Sequence, residues 1–386
     1  MTASEHDVVI VGSGAAGHSC ARALRSGAFV GRIRLVNGEG GPPINRTLVD
    51  KGVLPGLLTG AQIALPPLAD VEMVDARAVS LDASGRTVVL DDGRALHADA
   101  IVLACGSAPR ALDERIHVDE DVHQHVLHGA EDAERLRRAV PEPVGASVVV
   151  LGAGFIGAEV ASHYAGAGAR VTLIGRSALP LRAAVGEGIA ARLAALHGER
   201  VDARLGAGVV AVRAAGPDRP HPVVVELQGG PAIPADVLVV AVGYRAGTAW
   251  AGFDGAVPVD DRFRVEGLPG LYAAGSASAP QLQHGRVRVD HWDAAAAQGA
   301  HAAKVLLHDL GLGDDPGSWK ATTGFTLMVH GAVVSARGVR LTDASESSAE
   351  LDGGGLLTDF SSADGSLTGV AGWNAGPALM RAAARL

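Results

Sequence analysis

One short turn occurs twice in this chain. Gly12-Ser13-Gly14-Ala15-Ala16-Gly17 and Gly152-Ala153-Gly154-Phe155-Ile156-Gly157 both read Gly-x-Gly-x-x-Gly. Each follows an apolar run short enough for a buried strand, Val8 to Val11 and Val148 to Leu151, and each opens an alanine-rich stretch of helical character, Ala15 to Leu24 and Ala158 to Ala165. A second apolar run closes each set, Ile33 to Val36 and Val171 to Ile174. Strand, glycine turn, helix and strand in that order are the start of a doubly wound parallel sheet. The first glycine permits the tight turn, the second lets a pyrophosphate approach the backbone, and the third lets the helix pack on the strand. The phosphate then rests on the helix N-terminus, where free N–H groups and the dipole favour negative charge. Two copies imply two dinucleotides, or one dinucleotide and a decoy; two purely structural turns are the plain alternative.

A chain of 386 residues with 52 glycines, 48% hydrophobic and 3% aromatic residues suits an α/β protein of two or three domains. Thr87 to Leu90, the turn Asp91-Asp92-Gly93 and Ile101 to Ala104 read as a hairpin returning to the first sheet. Pro141-Glu142-Pro143 is expected near the crossing into the second Rossmann core, Val237 to Val242 as a strand closing it, and Leu271 to Ala274 as a strand that re-enters the first domain. The expected division is therefore residues 1–111 with 245–313, then 112–244, then 314–386. From Asp314 the pattern changes to short alternating runs such as Phe325 to Val329 and Leu367 to Val370, expected to form a small α+β cap.

The net charge of −9 and the lack of a basic run argue against nucleic acid and a membrane surface. The opening residues lack a basic stretch followed by a long apolar one, and the chain reads as cytoplasmic. Its two cysteines, Cys20 and Cys105, are far apart and in no metal-ligand or redox spacing, so no disulfide relay is available. His117, His123, His125 and His128 cluster along the chain without a frame of further ligands, and read as a solvated loop rather than a metal site.

A Rossmann site places an acid at the end of its second strand to hold ribose hydroxyls. Glu39 is the candidate in the first copy. The second copy has Leu173-Ile174-Gly175-Arg176 there. A guanidinium in place of a carboxylate suits a 2′-phosphate, which favours NADPH over NADH, although Arg176 also reads as an ordinary surface arginine.

With both turns in place the chain resembles the FAD-dependent pyridine nucleotide–disulfide oxidoreductase superfamily, with its glutathione reductase-like fold, and within it the ferredoxin reductases of the putidaredoxin and rhodocoxin reductase type. Arg46-Thr47-Leu48-Val49-Asp50-Lys51 stands where the family has Arg-Pro-Pro-Leu-Ser-Lys, and Leu103-Ala104-Cys105-Gly106-Ser107 matches an Ala-Thr-Gly turn. The resemblance implies that Arg46, Cys105 and Gly106 line the flavin and that Glu159, within the second turn's motif, pairs with Lys51 near the flavin ring. The plain alternative for Glu159 is a first-turn helix acid favoured by the dipole. Val289-Asp290-His291-Trp292 resembles Val-Glu-His-Trp, which implies a flavin contact from Trp292. Pro316-Gly317-Ser318-Trp319 resembles a segment that sets an aromatic residue over the active site, although Trp319 also reads as plain core. Ala16, Ala78, Ile156, Gly243 and Gly275 complete the implied cofactor contacts.

Four departures fall at those contacts. The family's Gly-Asp, whose aspartate holds the FAD ribitol, is Gly275-Ser276 here; Gly38 takes the usual place of the first ribose acid, so that Glu39 comes one residue late; the second ribose acid is missing; and the cap motif has become Ser318-Trp319-Lys320-Ala321. The first two imply weakened FAD binding. The resemblance implies an enzyme that passes a hydride from NAD(P)H to FAD and electrons on to a 2Fe–2S ferredoxin, as a monomer or homodimer. The altered cap leaves open a flavoenzyme acting on an organic substrate, a quinone or oxygen. A slow nucleotide sensor resembling apoptosis-inducing factor is a third reading.

Overall fold

The computed structural model describes residues 6–216 and 221–386. Met1 to Glu5, the start of the segment read above for a leader, lie outside them. The chain forms two compact units: Met1–Asn45, Ala64–Ala108 and Arg245–Phe325 make the first, and Arg46–Ile63, Pro109–Tyr244 and Thr326–Leu386 the second. Residues 46–63 and the last strands of the chain thus belong with the second glycine turn. No helix among the described residues is long and apolar enough to cross a membrane.

In the first unit β1 (Asp7–Val11), α1 (Ala15–Ser26), β2 (Arg32–Asn37), β3 (Glu72–Asp75) and β4 (Ala100–Leu103) follow in chain order. With Leu271–Ala273 the strands form one sheet ordered Leu271–Ala273, β4, β1, β2, β3, and every pair is parallel. Val8, Val9, Ile10 and Ile101 to Leu103 are fully buried, as strands covered on both faces must be. The hairpin expected between Thr87 to Leu90 and Ile101 to Ala104 does not form. Asp91-Asp92-Gly93 is a turn, but it joins Thr87–Leu90 to Ala95–His97 in a small antiparallel sheet with Ala78–Asp82. β4 is a separate central strand parallel to β1. The continuous apolar run Ala100–Leu103 suits that doubly covered position better than a half-exposed hairpin.

The second unit repeats the plan. α2 (Ala130–Ala139), β5 (Ser147–Leu151), α3 (Phe155–Gly166), β6 (Arg170–Gly175), α4 (Arg182–Arg200), β7 (Asp202–Leu205) and β8 (Val237–Val240) supply a parallel sheet ordered Gln124–His125, β8, β5, β6, β7. Pro141 to Pro143 lie inside this unit, between α2 and β5. The alternating C-terminal runs form a five-stranded antiparallel sheet, Gly324–Val329, Ala332–Gly338, Leu367–Trp373, Gly355–Ser361 and Ser345–Leu351, followed by the helix Gly376–Ala383. It packs on α4 at a kink. Gly186 there has φ +80°, and a Cβ on it would stand 2.6 Å from the Glu346 carboxylate, which instead accepts the Glu187 N–H at 2.8 Å.

Candidate functional site

The two glycine turns match in detail. Gly12 has φ +108° and Gly152 +109°, and a Cβ on either would meet a carbonyl oxygen at 2.2 Å, that of Ala104 or Ala241. A Cβ on Gly17 or Gly157 would stand 1.8 Å from the oxygen of Gly12 or Gly152. These four positions admit no side chain. At Gly14 and Gly154, by contrast, nothing lies within 4 Å of the Cβ position. That open space faces the first turn of α1 or α3, where no side chain caps the helix and no acid stands in the first turn. Backbone N–H groups without intrahelical partners, open space and an uncompensated dipole fit a pyrophosphate.

In the first unit Gly12, Cys105, Gly106 and Gly275 follow the carboxyl ends of the sheet strands, where ligands bind in such sheets. The Cys105 Cα lies 2.9 Å from Gly12's Cβ position, with Gly106 (φ +66°) next to it. Gly275 (φ +73°) packs on Ala16, its Cβ position 2.9 Å from the Ala16 Cβ. Ala78 is buried in its small sheet and Trp292 begins the helix Trp292–Asp309. At the end of β2 it is Asn37 that organises the turn: Ser13 Oγ donates to its Oδ1 at 2.9 Å, and its Nδ2 donates to the Gly41 oxygen and to Asp75. Glu39 is exposed beyond it. Trp319 is buried in the first unit's core, edge-to-face with Phe263 at 5.4 Å. Its surroundings are those of a packing residue. Both cysteines are free, and burial pushes the thiols up, Cys20 to about 12 and Cys105 to about 11, so neither is a ready thiolate.

In the second unit the segment 46–63 is tied down by Arg46, which donates to the His128 oxygen at 2.9 Å, and by Arg137, which donates to the Val53 oxygen. Lys51 sits in a wide turn closed by Leu54 N–H on the Val49 oxygen at 2.8 Å, a local form common at functional sites. Its Nζ donates to Glu159 Oε2 at 2.7 Å and to Asp50 Oδ2 at 3.0 Å. Glu159 lies in the second turn of α3, past the positions the helix dipole favours, and its Oε1 accepts the Met328 N–H at 3.1 Å. Its side chain is 9% exposed and that of Asp50 only 4%. Two buried carboxylates therefore share one ammonium. Burial, reinforced by Asp50, holds the Glu159 carboxyl above its ordinary value against the pull of Lys51. For Lys51, desolvation is outweighed by the two carboxylates, and its ammonium is held charged more firmly than usual. Asp50 was not singled out from the sequence; its only signal there is an acid where the family carries serine.

Gly175, at the place of the missing ribose acid, is packed: a Cβ there would stand 2.9 Å from the Ala153 Cβ and 3.1 Å from Leu205. Arg176 follows it, exposed, while Ile156 lies half-buried in α3 and Gly243 has φ +103°. The four clustered histidines have separate surroundings. His117 lies 2.7 Å from Asp119, the His123 and His125 rings meet edge-to-face, and His128 stacks at a tilt near Tyr244. No group of three or more His, Cys, Asp or Glu side chains able to hold a metal occurs among the described residues.

Two parallel sheets of one plan, each with the same glycine turn, define the two-Rossmann fold of FAD- and NAD(P)-dependent oxidoreductases. The pyridine nucleotide-disulphide oxidoreductase family model matches residues 6–299, and the chain belongs to that family. Apoptosis-inducing factor 3 of Mus musculus is 30% identical over 346 residues, which cover 85% of this chain and 55% of that protein, so the chain spans about half the length of this relative. The ferredoxin–NAD(+) reductase component of the p-cumate 2,3-dioxygenase system of Pseudomonas putida is 30% identical over 314 residues, 78% of this chain and 74% of that one. Among solved structures, the crystal structure of Fdr9 is 30% identical and superposes with a TM-score of 0.84 over 98% of this chain and 93% of its own.

Proposed function

We propose that the chain is an FAD-dependent NAD(P)H oxidoreductase that holds FAD on the first unit and NADPH on the second, and that serves a 2Fe–2S ferredoxin. The observation that carries this reading is the pair of matched glycine turns, each closed where its helix packs and open at Gly14 or Gly154. FAD, when bound, supplies a carrier that takes electrons as a hydride pair and releases them singly.

The chain's own residues have distinct tasks. Gly12, Gly14, Ala16 and Gly17 bring backbone N–H groups to one pyrophosphate, and Gly152, Gly154, Ile156 and Gly157 do so for the other. Lys51 carries a fixed positive charge, held in place by Glu159 and Asp50, of the kind that would stabilise negative charge on a reduced cofactor. Two free thiols, Cys20 buried and Cys105 half-buried, offer no dithiol relay, so electrons would have to leave for an external acceptor. The reductase component named above supports a ferredoxin in that role. Arg176, with packed Gly175 beside it, supports NADPH as donor.

The test is an anaerobic titration of the purified, FAD-loaded protein with NADPH and NADH separately, followed by addition of a 2Fe–2S ferredoxin. Bleaching of the flavin band at about 450 nm and subsequent reduction of the ferredoxin are expected. Protein that neither takes up FAD nor oxidises either donor overturns the reading; bleaching with passage to oxygen or a quinone but never to ferredoxin overturns the choice of acceptor. Arg176→Glu is expected to raise the KM for NADPH about tenfold, the loss of one charge-assisted contact, with that for NADH unchanged.

A further inference from the structure

The acid expected beside Gly275 is a serine, yet a carboxylate stands at that place in the fold. Ser276 Oγ donates to Asp290 Oδ1, and Ser107 Oγ donates to the same oxygen at 3.3 Å. Arg288 fixes the arrangement from the other side, donating through Nη2 to Asp290 Oδ2 at 3.0 Å and through Nε to the Ser276 carbonyl at 3.0 Å. Three segments of the first unit thus converge on one carboxylate: the turn after β4, the turn after Leu271–Ala273, and the approach to the helix Trp292–Asp309.

The cluster abuts the first glycine turn. Gly275, next to Ser276, packs on Ala16, and its N–H donates at 2.8 Å to Oε1 of the fully buried Gln298. The neighbouring Gly299 lies so close to the turn that a Cβ on it would stand 2.0 Å from the Ala16 oxygen. The Asp290 side chain, by contrast, is 33% exposed. A carboxylate has about four lone-pair sites, and the three donors around Asp290 leave capacity facing outward. A carboxylate acceptor held by three donors beside a pyrophosphate turn suits the hydroxyl groups that follow the phosphates of a dinucleotide, because hydrogen bonds to carboxylates are the strong ones.

We infer that Asp290, held by Ser107, Ser276 and Arg288, is the carboxylate that binds the hydroxyl-bearing chain of FAD in this protein. The inference rests on the FAD reading given above, and it reverses the weakened binding that Gly275-Ser276 implies when read alone. Asp290 is a binding residue; Arg288 and the two serines position it.

The experiment exchanges the carboxylate between the two positions in the full chain. FAD dissociation constants are measured by fluorescence quenching on apoprotein for the wild type, Asp290→Asn, Ser276→Asp and the double variant. Asp290→Asn is expected to weaken binding about 10- to 100-fold, the worth of hydrogen bonds to a charged acceptor. Ser276→Asp sets a second carboxylate against the first and weakens binding as well. The double variant returns one carboxylate to the site, and its affinity recovers to within about threefold of the wild type. The circular dichroism spectrum and unfolding temperature of the same apoprotein samples stay constant and show that the variants are folded. Unchanged affinity in Asp290→Asn, or a double variant no tighter than Asp290→Asn, overturns the assignment while leaving FAD binding intact. Wild-type protein that takes up no FAD removes the parent reading and this assignment together.

Discussion

Replacing Lys51 by methionine leaves Asp50 and Glu159 buried without their shared cation. Breaking a buried ion pair from one side costs about 3–5 kcal/mol. The Lys51 side chain is 35% exposed, and solvent screening reduces the expected loss to about 2–3 kcal/mol. For a folding unit of roughly 200 residues that corresponds to a fall in Tm of about 5–10 °C. The loss depends on pH in a definite direction. Glu159 is held above its ordinary value by burial and by Asp50, so folding favours its protonated form. That contribution is complete below the ordinary carboxylate range and fades as pH rises through the raised value. Wild-type stability is therefore expected to decline from mildly acidic to mildly alkaline solution, and the cost of Lys51→Met to grow over the same range as Glu159 ionises. Glu159→Gln supplies the contrast, because the amide imitates the protonated carboxyl. It gives up one of two hydrogen bonds at about 1 kcal/mol and removes the titrating group, so this part of the pH slope flattens. Calorimetric unfolding of the apoprotein at a series of pH values measures both effects. Equal Tm for Lys51→Met and wild type in alkaline solution, or a Glu159→Gln loss as large as that of Lys51→Met, would refute the shared-cation argument.

Two further expectations follow from the turns and the thiols. Gly157→Ala forces a methyl to 1.8 Å from the Gly152 oxygen and is expected to destabilise the second unit by about 3 kcal/mol or more, whereas Gly154→Ala meets nothing within 4 Å and should keep the wild-type Tm while losing affinity for NADPH; unfolding scans paired with NADPH titrations separate the two, and equal stabilities would contradict the packing. Cys20 and Cys105, with thiols pushed up to about 12 and about 11 by burial, should react with a disulfide reagent at pH 8 only after denaturation; rapid labelling of the native protein would show one of them to be an accessible thiolate.

The parts of this fold legible in the sequence are those set by short-range requirements. The spacing of Gly12, Gly14 and Gly17 is dictated within six residues by the collision of Cβ atoms with a carbonyl, and the same holds for Gly152 to Gly157. Partner choice is a long-range matter. The Asp91-Asp92-Gly93 turn was legible, but its strand pairs with Ala95–His97, three residues whose weak pattern gave way to the more apolar run at Ala100–Leu103. The C-terminal alternation announced strands, while their attachment to α4 depends on Gly186 and Glu346, which no local pattern connects. The same distinction governs the site. Asp50 precedes Lys51, and neighbours on a regular helix do not face one another; the wide turn at Val49 is what brings both carboxylates to one ammonium. Position 276 counted alone is a lost carboxylate. In space the charge has moved to Asp290, fourteen residues on, and the hydroxyl of Ser276 has become its donor. A substitution at a cofactor contact thus has no meaning until the groups within hydrogen-bonding reach are known: a serine that donates to a neighbouring carboxylate keeps an acidic acceptor in the site, whereas a serine alone does not.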